Sequence, residues 1–484
     1  MLFNSFAFAV FFPIVTALYF VLPHRGRVPL LLASSCWFYM AFVPRYILIL
    51  AVLILVDYVA GRLIERATGR HRTVVLVLSL CANVGMLAFF KYFNFINDNL
   101  AGLASALGWN YGIAGLSILL PIGLSFHTFQ SMSYTIEVYR GAFPAERSLL
   151  HFATYVMFYP QLVAGPIERP QNLLHQFREV HRWDWARVAS GAQLMASGFF
   201  KKIVIADRAA IIVNTVYTDP SRFSGAELLV GTAFFAVQIY CDFAGYSEIA
   251  RGCARVMGFE LMRNFDAPYL ARDIATFWRR WHISLSTWFR DYLYVPLGGS
   301  RAGVARGCVN LAIVFLVSGL WHGANWTFVA WGALHAAYMV VYVLSAPIRR
   351  RAADTFTGAT KVALDTMSWL LTLLLVGLAW VFFRASHVTD AVTILRRIVA
   401  DFTPTGTWTL HPGLTDVQFG LALTCMAGLF AIEFAGRPTP VSTRIAAWPR
   451  WQRWGAYYAF ALAFVVAIVL SPDTKPQPFI YFQF

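Results

Sequence analysis

Long apolar runs recur along almost the whole chain, and the charged residues are confined to short segments between them. A helix needs roughly 20 mostly apolar residues to cross hydrocarbon. By that measure the candidate spans are 3–22, 28–43, 45–60, 73–90, 113–132, 149–165, 187–206, 227–250, 307–321, 324–345, 363–384, 415–435 and 455–470. Several are short or broken by Pro and Gly. Irregular backbone at membrane depth is tolerated only where protein buries it. The pattern therefore predicts an all-α polytopic membrane protein with roughly ten to thirteen transmembrane or re-entrant helices. In the first run, MLFNSFAFAVFFPIVTALYFVL, the charges follow the apolar residues, which predicts a retained span and not a cleaved leader. There is no internal repeat or long linker, so a single integral membrane domain over 1–484 is expected, with a more polar extramembrane loop at 385–414 and C-terminal helices from 363 onward.

Composition fits lipid as the solvent. Of the 484 residues 58% are hydrophobic and 13% charged, against roughly 25% charged in soluble domains. The net charge of +15 comes mostly from arginine. Because these charges sit in loops, they read as a positive-inside pattern and not as a nucleic-acid surface. The basic segments 24–27 and 62–72 are separated by two candidate spans. Both can face the cytoplasm, which puts the N-terminus outside. The near-uncharged 94–112 suits the outside, and 137–148, 168–187 and 263–306 suit the cytoplasmic face. The six cysteines form no CxxC pair and no zinc-spaced cluster, so buried thiols and no metal are expected.

Four stretches carry polar chemistry in apolar surroundings. In TFWRRWHISLSTWFRDYLYVPLGGSR (276–301), Asp273 is a reasonable N-cap and the spacing predicts one helix over 273–292. Trp278, Trp281, His282, Leu285 and Phe289 would share a face, with Arg279, Ser286 and Arg290 on another. That pattern suits an interfacial anchor helix as well as one wall of an active site. In LVSGLWHGANW (316–326), His322 lies between small residues that permit close approach of a backbone or a thin ligand. Burial in an apolar site favours the neutral imidazole, the form a general base needs, although a hydrogen bond to a neighbouring helix would also explain it. His335 reads as a helix-contact residue. PQLVAGPIERPQNLLHQFREV (160–180) reads as a cytoplasmic loop leading into an amphipathic segment, and YCDFAGYSEIARG (240–252) places Asp242 and Glu248 where they must be bonded internally or line a cavity. P-loop, HExxH and GxSxG signatures are absent.

FWRRWHISLSTWFRDYLYVPLGG followed by GLWHGANWTFVAWGALH resembles the membrane-bound O-acyltransferase (MBOAT) family, within the bacterial branch that O-acetylates polysaccharides such as alginate. LLPIGLSFHTFQSMSYTIEVYRG, AGPIERP, YCDFAGYSEIARG, GLAWVFFRA and the terminal PFIYFQF match the same branch, so the resemblance spans nearly the whole chain, with a signature core at about 119–345. It implies helices around a central catalytic tunnel, with His322 as the essential residue and His282 as its supporting partner. It also implies cytoplasmic acetyl-CoA as donor with no permanently bound cofactor, a bacterial inner-membrane location, an extracytoplasmic polysaccharide acceptor (alginate, or peptidoglycan or cellulose) and an SGNH-type partner protein.

The mechanism expected on both grounds has His322 as general base on an incoming hydroxyl. Asn325, Trp321 and Ser318 are oxyanion or supporting candidates. Arg279, Arg280 and Arg290 are candidates for the CoA phosphates. A transporter of polysaccharide or lipid-linked precursor is the rival reading, since broken helices and buried polar residues suit that too.

Overall fold

The computed structural model describes residues 1–117, 121–402, 411–436, 441–470 and 479–482. Parts of the predicted features at 119–141, 385–414 and 478–484 therefore lie outside the described residues. Among the described residues there is no strand, and eight helices are long and apolar enough to span a membrane: α1 (Pro44–Arg66), α2 (Gly69–Ala106), α3 (Gly225–Met257), α4 (Val304–His322), α5 (Trp326–Leu344), α6 (Gly358–Arg384), α7 (Asp416–Ala435) and α8 (Arg450–Val469). The chain is a multi-pass membrane protein. Shorter helices at Phe6–Val21, His24–Met40, Leu124–Arg140 and Trp185–Phe199 fill in around them.

Two of the predicted spans are not continuous, for local reasons. The run 113–132 stays irregular up to 117, and its helix begins only at Leu124. Gly123 precedes that helix at φ 77, and a Cβ there would stand 2.9 Å from the Leu162 carbonyl. The run 149–165 is helical only over Leu149–Met157; beyond it Gly165 and Pro166 lead into an irregular but buried segment. The predicted amphipathic segment after it amounts to two short turns, Pro170–Leu173 and His175–Arg178. Within the predicted loop 385–414, Val388–Ala400 is a helix.

Polar clasps join helices where lipid offers no hydrogen bonds. Buried Asp57 on α1 accepts from Ser79 Oγ (2.6 Å) and Asn83 Nδ2 (2.9 Å) on α2. Asp242 on the long buried α3 receives Lys202 Nζ at 2.8 Å and the Ile480 backbone N–H at 2.6 Å. The basic segments gather at one end: Arg27 donates to the His181 carbonyl, Arg72 to the Val138 carbonyl, the Ala145 N–H to Glu65, and Arg140 to the Asp291 carbonyl. With Arg178 paired to Glu146, one face thus carries 24–27, 62–72, 137–148, 168–187 and the part of 263–306 around Asp291.

Helices α4 and α5 form the tightest hairpin near the site. A Cβ on Gly319 would lie 2.3 Å from the Phe328 carbonyl oxygen, and one on Gly332 would lie 2.5 Å from that of Phe315. The small residues around His322 therefore admit a backbone. Gly319→Ala should force the helices apart at a cost of about 1–3 kcal/mol, read as a lowered thermal unfolding midpoint of the purified protein; an unchanged midpoint would show that the seam can yield.

Candidate active site

The predicted single helix over 273–292 is two helices, Ile274–Arg280 and Ile283–Phe289, broken at His282. Asp273 caps the first, its carboxylate accepting the Thr276 N–H at 2.7 Å. His282 adopts φ 43, a left-handed conformation uncommon for a non-glycine residue. Asn264 holds the break in place. Its carbonyl accepts the Ile283 N–H (2.9 Å), its Oδ1 accepts the Ser284 N–H (3.2 Å), and its Nδ2 donates to Ser247 Oγ on α3 (2.9 Å). Ser284 Oγ in turn accepts the Ile167 N–H at 3.0 Å, tying the AGPIERP loop beneath. The expected common face of Trp278, Trp281, His282, Leu285 and Phe289 does not exist. The break sends Trp281 to stack on Phe277 at 5.5 Å and turns His282 into the protein interior.

His322 is the last residue of α4. Gly323 follows in extended conformation, and Asn325 opens α5. Forty residues apart in sequence (322 − 282 = 40), the two histidines share one aromatic enclosure. The Trp321 ring lies 4.9 Å from that of His322 and 6.1 Å from that of His282, and Tyr481 lies 5.7 and 6.5 Å from the same rings. Phe243 closes against His282 at 4.5 Å; Trp331 and Phe383 close against His322 at 5.0 and 5.2 Å. His282 is fully buried, whereas His322 keeps 4% of its surface accessible.

Both ring nitrogens of His282, Nδ1 of His322 and the indole N–H of Trp321 are buried without a hydrogen-bonding partner among the described residues. Buried polar groups are rarely left so, and several converging on one enclosure make it the candidate site.

The other predicted residues divide. Ser318 is buried on α4 one turn before His322. The Asn325 side chain is committed to structure: Oδ1 caps α5 through the Thr327 N–H (3.0 Å) and Nδ2 donates to the Ser386 carbonyl (2.9 Å). His335 accepts from Trp278 Nε1 at 3.3 Å, a helix contact. Arg279 and Arg290 are exposed near the basic end, donating to Thr276 Oγ1 and Asp291 at 2.7 Å each. Half-buried Arg280 accepts the Asp266 N–H on its carbonyl (3.0 Å). No cluster of metal-ligating side chains occurs among the described residues.

Sequence reasoning passed over Lys91. It lies inside α2, and its Nζ donates to the carbonyls of Trp321 (2.7 Å) and His322 (3.0 Å). The signal was present, as an ionisable residue in an apolar run.

Two cavities lie away from the histidines. One of about 1210 Å³ is lined by Lys201, Tyr240, Glu248, Arg263, Phe265 and Glu433 among others. Phe265 separates it from the site, packing on Trp281 at 5.1 Å and on Phe243 at 5.1 Å. A second of about 450 Å³ lies between Glu137, Arg169, Asn172 and Tyr292. Tyr292 leads inward by way of Trp288 (5.1 Å), Phe129 (3.8 Å) and Trp321 (5.4 Å).

Known proteins match the chain over most of its length. The membrane-bound O-acyltransferase family profile covers residues 142–383. The chain is 35% identical to the probable alginate O-acetylase AlgI of Pseudomonas putida across 99% of both chains. It is 32% identical to the peptidoglycan O-acetyltransferase of Helicobacter pylori, across 82% of this chain and 80% of that one. A teichoic acid D-alanyltransferase of Streptococcus thermophilus is 28% identical over 46% of this chain and 57% of its own. The chain belongs to the MBOAT family and is an acyltransferase, which sets the transporter reading aside.

Glu168 of the AGPIERP loop gives a pH signature. It is fully buried and accepts from Asn172 Nδ2 and the Met262 N–H, both at 2.5 Å. Burial raises its pKa from 4.5 to about 7. A raised carboxyl favours the neutral form in the fold, so its stabilisation is full below 4.5 and is lost as pH rises through about 7. Unfolding midpoints from pH 4.5 to 8 should fall more steeply for the native protein than for Glu168→Gln; parallel curves would refute this assignment.

Proposed function

We propose that the protein moves an acetyl group from cytoplasmic acetyl-CoA through the bacterial inner membrane for O-acetylation of an extracytoplasmic polysaccharide, with its N-terminus on the outer side. The observation that carries the reading is the enclosure of His282 and His322 between Trp321 and Tyr481 in a membrane-embedded core. His322 takes the proton of an incoming hydroxyl. The oxygen attacks the thioester carbonyl, the C–S bond breaks, and the proton passes to the departing sulfur to release the CoA thiol. A neutral imidazole near physiological pH suits the first transfer, and the imidazolium it becomes supplies the proton for the second.

The developing oxyanion needs a donor held in place beforehand. Trp321 Nε1, buried and without a partner, fits that need better than Asn325, whose amide is already engaged. His282 orients the reacting groups from the opposite side. Arg279, Arg280 and Arg290 are candidates for the CoA phosphates; Arg290 bonds Asp291, which pairs with Arg169 at the 450 Å³ cavity, and Arg140 and Arg169 each lie over the Tyr292 ring. An SGNH-type partner would receive the acetyl group outside.

Relatives named alginate O-acetylase match over nearly the full length, which favours alginate or a similar exopolysaccharide as acceptor. The peptidoglycan O-acetyltransferase relative keeps peptidoglycan, and by the same chemistry cellulose, as the second reading. Mass spectrometry of glycans after gene deletion separates these, because only the true acceptor loses its acetyl groups.

Removing a general base typically costs about 10²–10⁴-fold in rate. His322→Ala should lose acetyl transfer from acetyl-CoA by that order while still inserting and folding. His282→Ala should retain more activity than His322→Ala. Full activity in a folded His322→Ala protein would overturn the mechanism.

A further inference from the structure

The end of a helix inside a membrane is a structural problem. The last four carbonyls of any helix have no intrahelical donor, and at membrane depth there is no solvent to supply one. Helix α4 ends at His322, inside the aromatic enclosure. Its terminal carbonyls are capped from another helix, some 230 residues earlier in the chain. Lys91 Nζ donates to the carbonyls of Trp321 (2.7 Å) and His322 (3.0 Å), and Tyr92 Oη donates to the carbonyl of Leu320 (2.8 Å).

The donors are placed by a defect in α2. Residues Ala88–Tyr92 form a π-turn within the otherwise α-helical 69–106 segment. Such bulges rotate the residues that follow and concentrate at functional sites. Here the bulge sets two successive residues, Lys91 and Tyr92, against one helix end. The lysine amine thus lies at the negative end of the α4 dipole. An ionisable side chain in the membrane interior is costly and marks function by default.

We infer that Lys91, assisted by Tyr92, is the positioning residue of the acyl-transfer site, fixing the last turn of α4 so that His322 and Trp321 are held toward the reacting groups. This inference rests on the proposed role of His322. Lys91 bonds the backbone of both residues and acts through them, without touching the acyl group. A displacement of about 1 Å in a reacting group can cost on the order of 10²-fold in rate. The effect belongs in kcat, because the donor's binding groups lie elsewhere.

The test compares Lys91→Met, Lys91→Arg and Tyr92→Phe in reconstituted full-length protein. Lys91→Met should lower kcat at least tenfold with the acetyl-CoA KM within about twofold. Lys91→Arg, which restores donors and charge, should recover much of the loss, and Tyr92→Phe should lower kcat by a smaller factor. Hydrogen exchange of the peptide spanning 318–325 should accelerate in Lys91→Met and Tyr92→Phe. That readout is independent of chemistry, so it tests the clamp even if His322→Ala disproves the base. Wild-type kcat in Lys91→Met, or a fall confined to KM, overturns the inference. If Lys91→Met does not fold, Tyr92→Phe decides: unchanged exchange and unchanged kcat overturn it equally.

Discussion

Hydrocarbon cannot hydrogen-bond, and the helix breaks and ends around the two histidines answer to that. A straight helix satisfies its own backbone, but a catalytic enclosure needs helix ends and breaks. Each break here has a dedicated protein partner. Asn264 supplies the acceptors for the interruption at His282, Lys91 and Tyr92 the donors for the end of α4, and Asn325 the cap and cross-link for the start of α5. The polar residues scattered through the apolar sequence serve largely as this supporting frame. Among the described residues, both ring nitrogens of His282, Nδ1 of His322 and the indole nitrogens of Trp321 and Trp331 are left without a partner at its centre.

The electrostatic layout is equally economical. Arginines crowd one end of the bundle, where they bond loop carbonyls and stack on tyrosines. Away from that end, Lys202 pairs with Asp242 and Asp207, while Lys91 is held by the carbonyls of Trp321 and His322. Among the described residues, the rings packed against His322 are aromatic, and none of them is a carboxylate.

Much of this was legible in the chain. The apolar periodicity gave the class, and the loop arginines gave a common face that the hydrogen bonds then assembled. GLWHGANW placed His322 beside small residues, and these admit the α5 backbone. The break at His282 was hidden, because its cause is Asn264, a residue beyond the helical window with no local signature. From 273–292 alone an unbroken helix is the better reading, as no Pro or Gly interrupts it. Asn325 looked available for an oxyanion because its capping partner and Ser386 are set by tertiary folding. The union of His282 with His322 likewise needed the fold, since nothing local relates the two stretches.

The glycine seam between α4 and α5 has a mechanical meaning. Helices whose backbones touch at Gly319 and Gly332 cannot slide or hinge past one another without collision, so the hairpin behaves as one stiff rod with His322 near its bend. The enclosure around that imidazole is nevertheless almost shut. The remaining walls are side chains from three other elements, Phe383 of α6, Phe126 of the Leu124–Arg140 helix and Tyr481, set against that one rod.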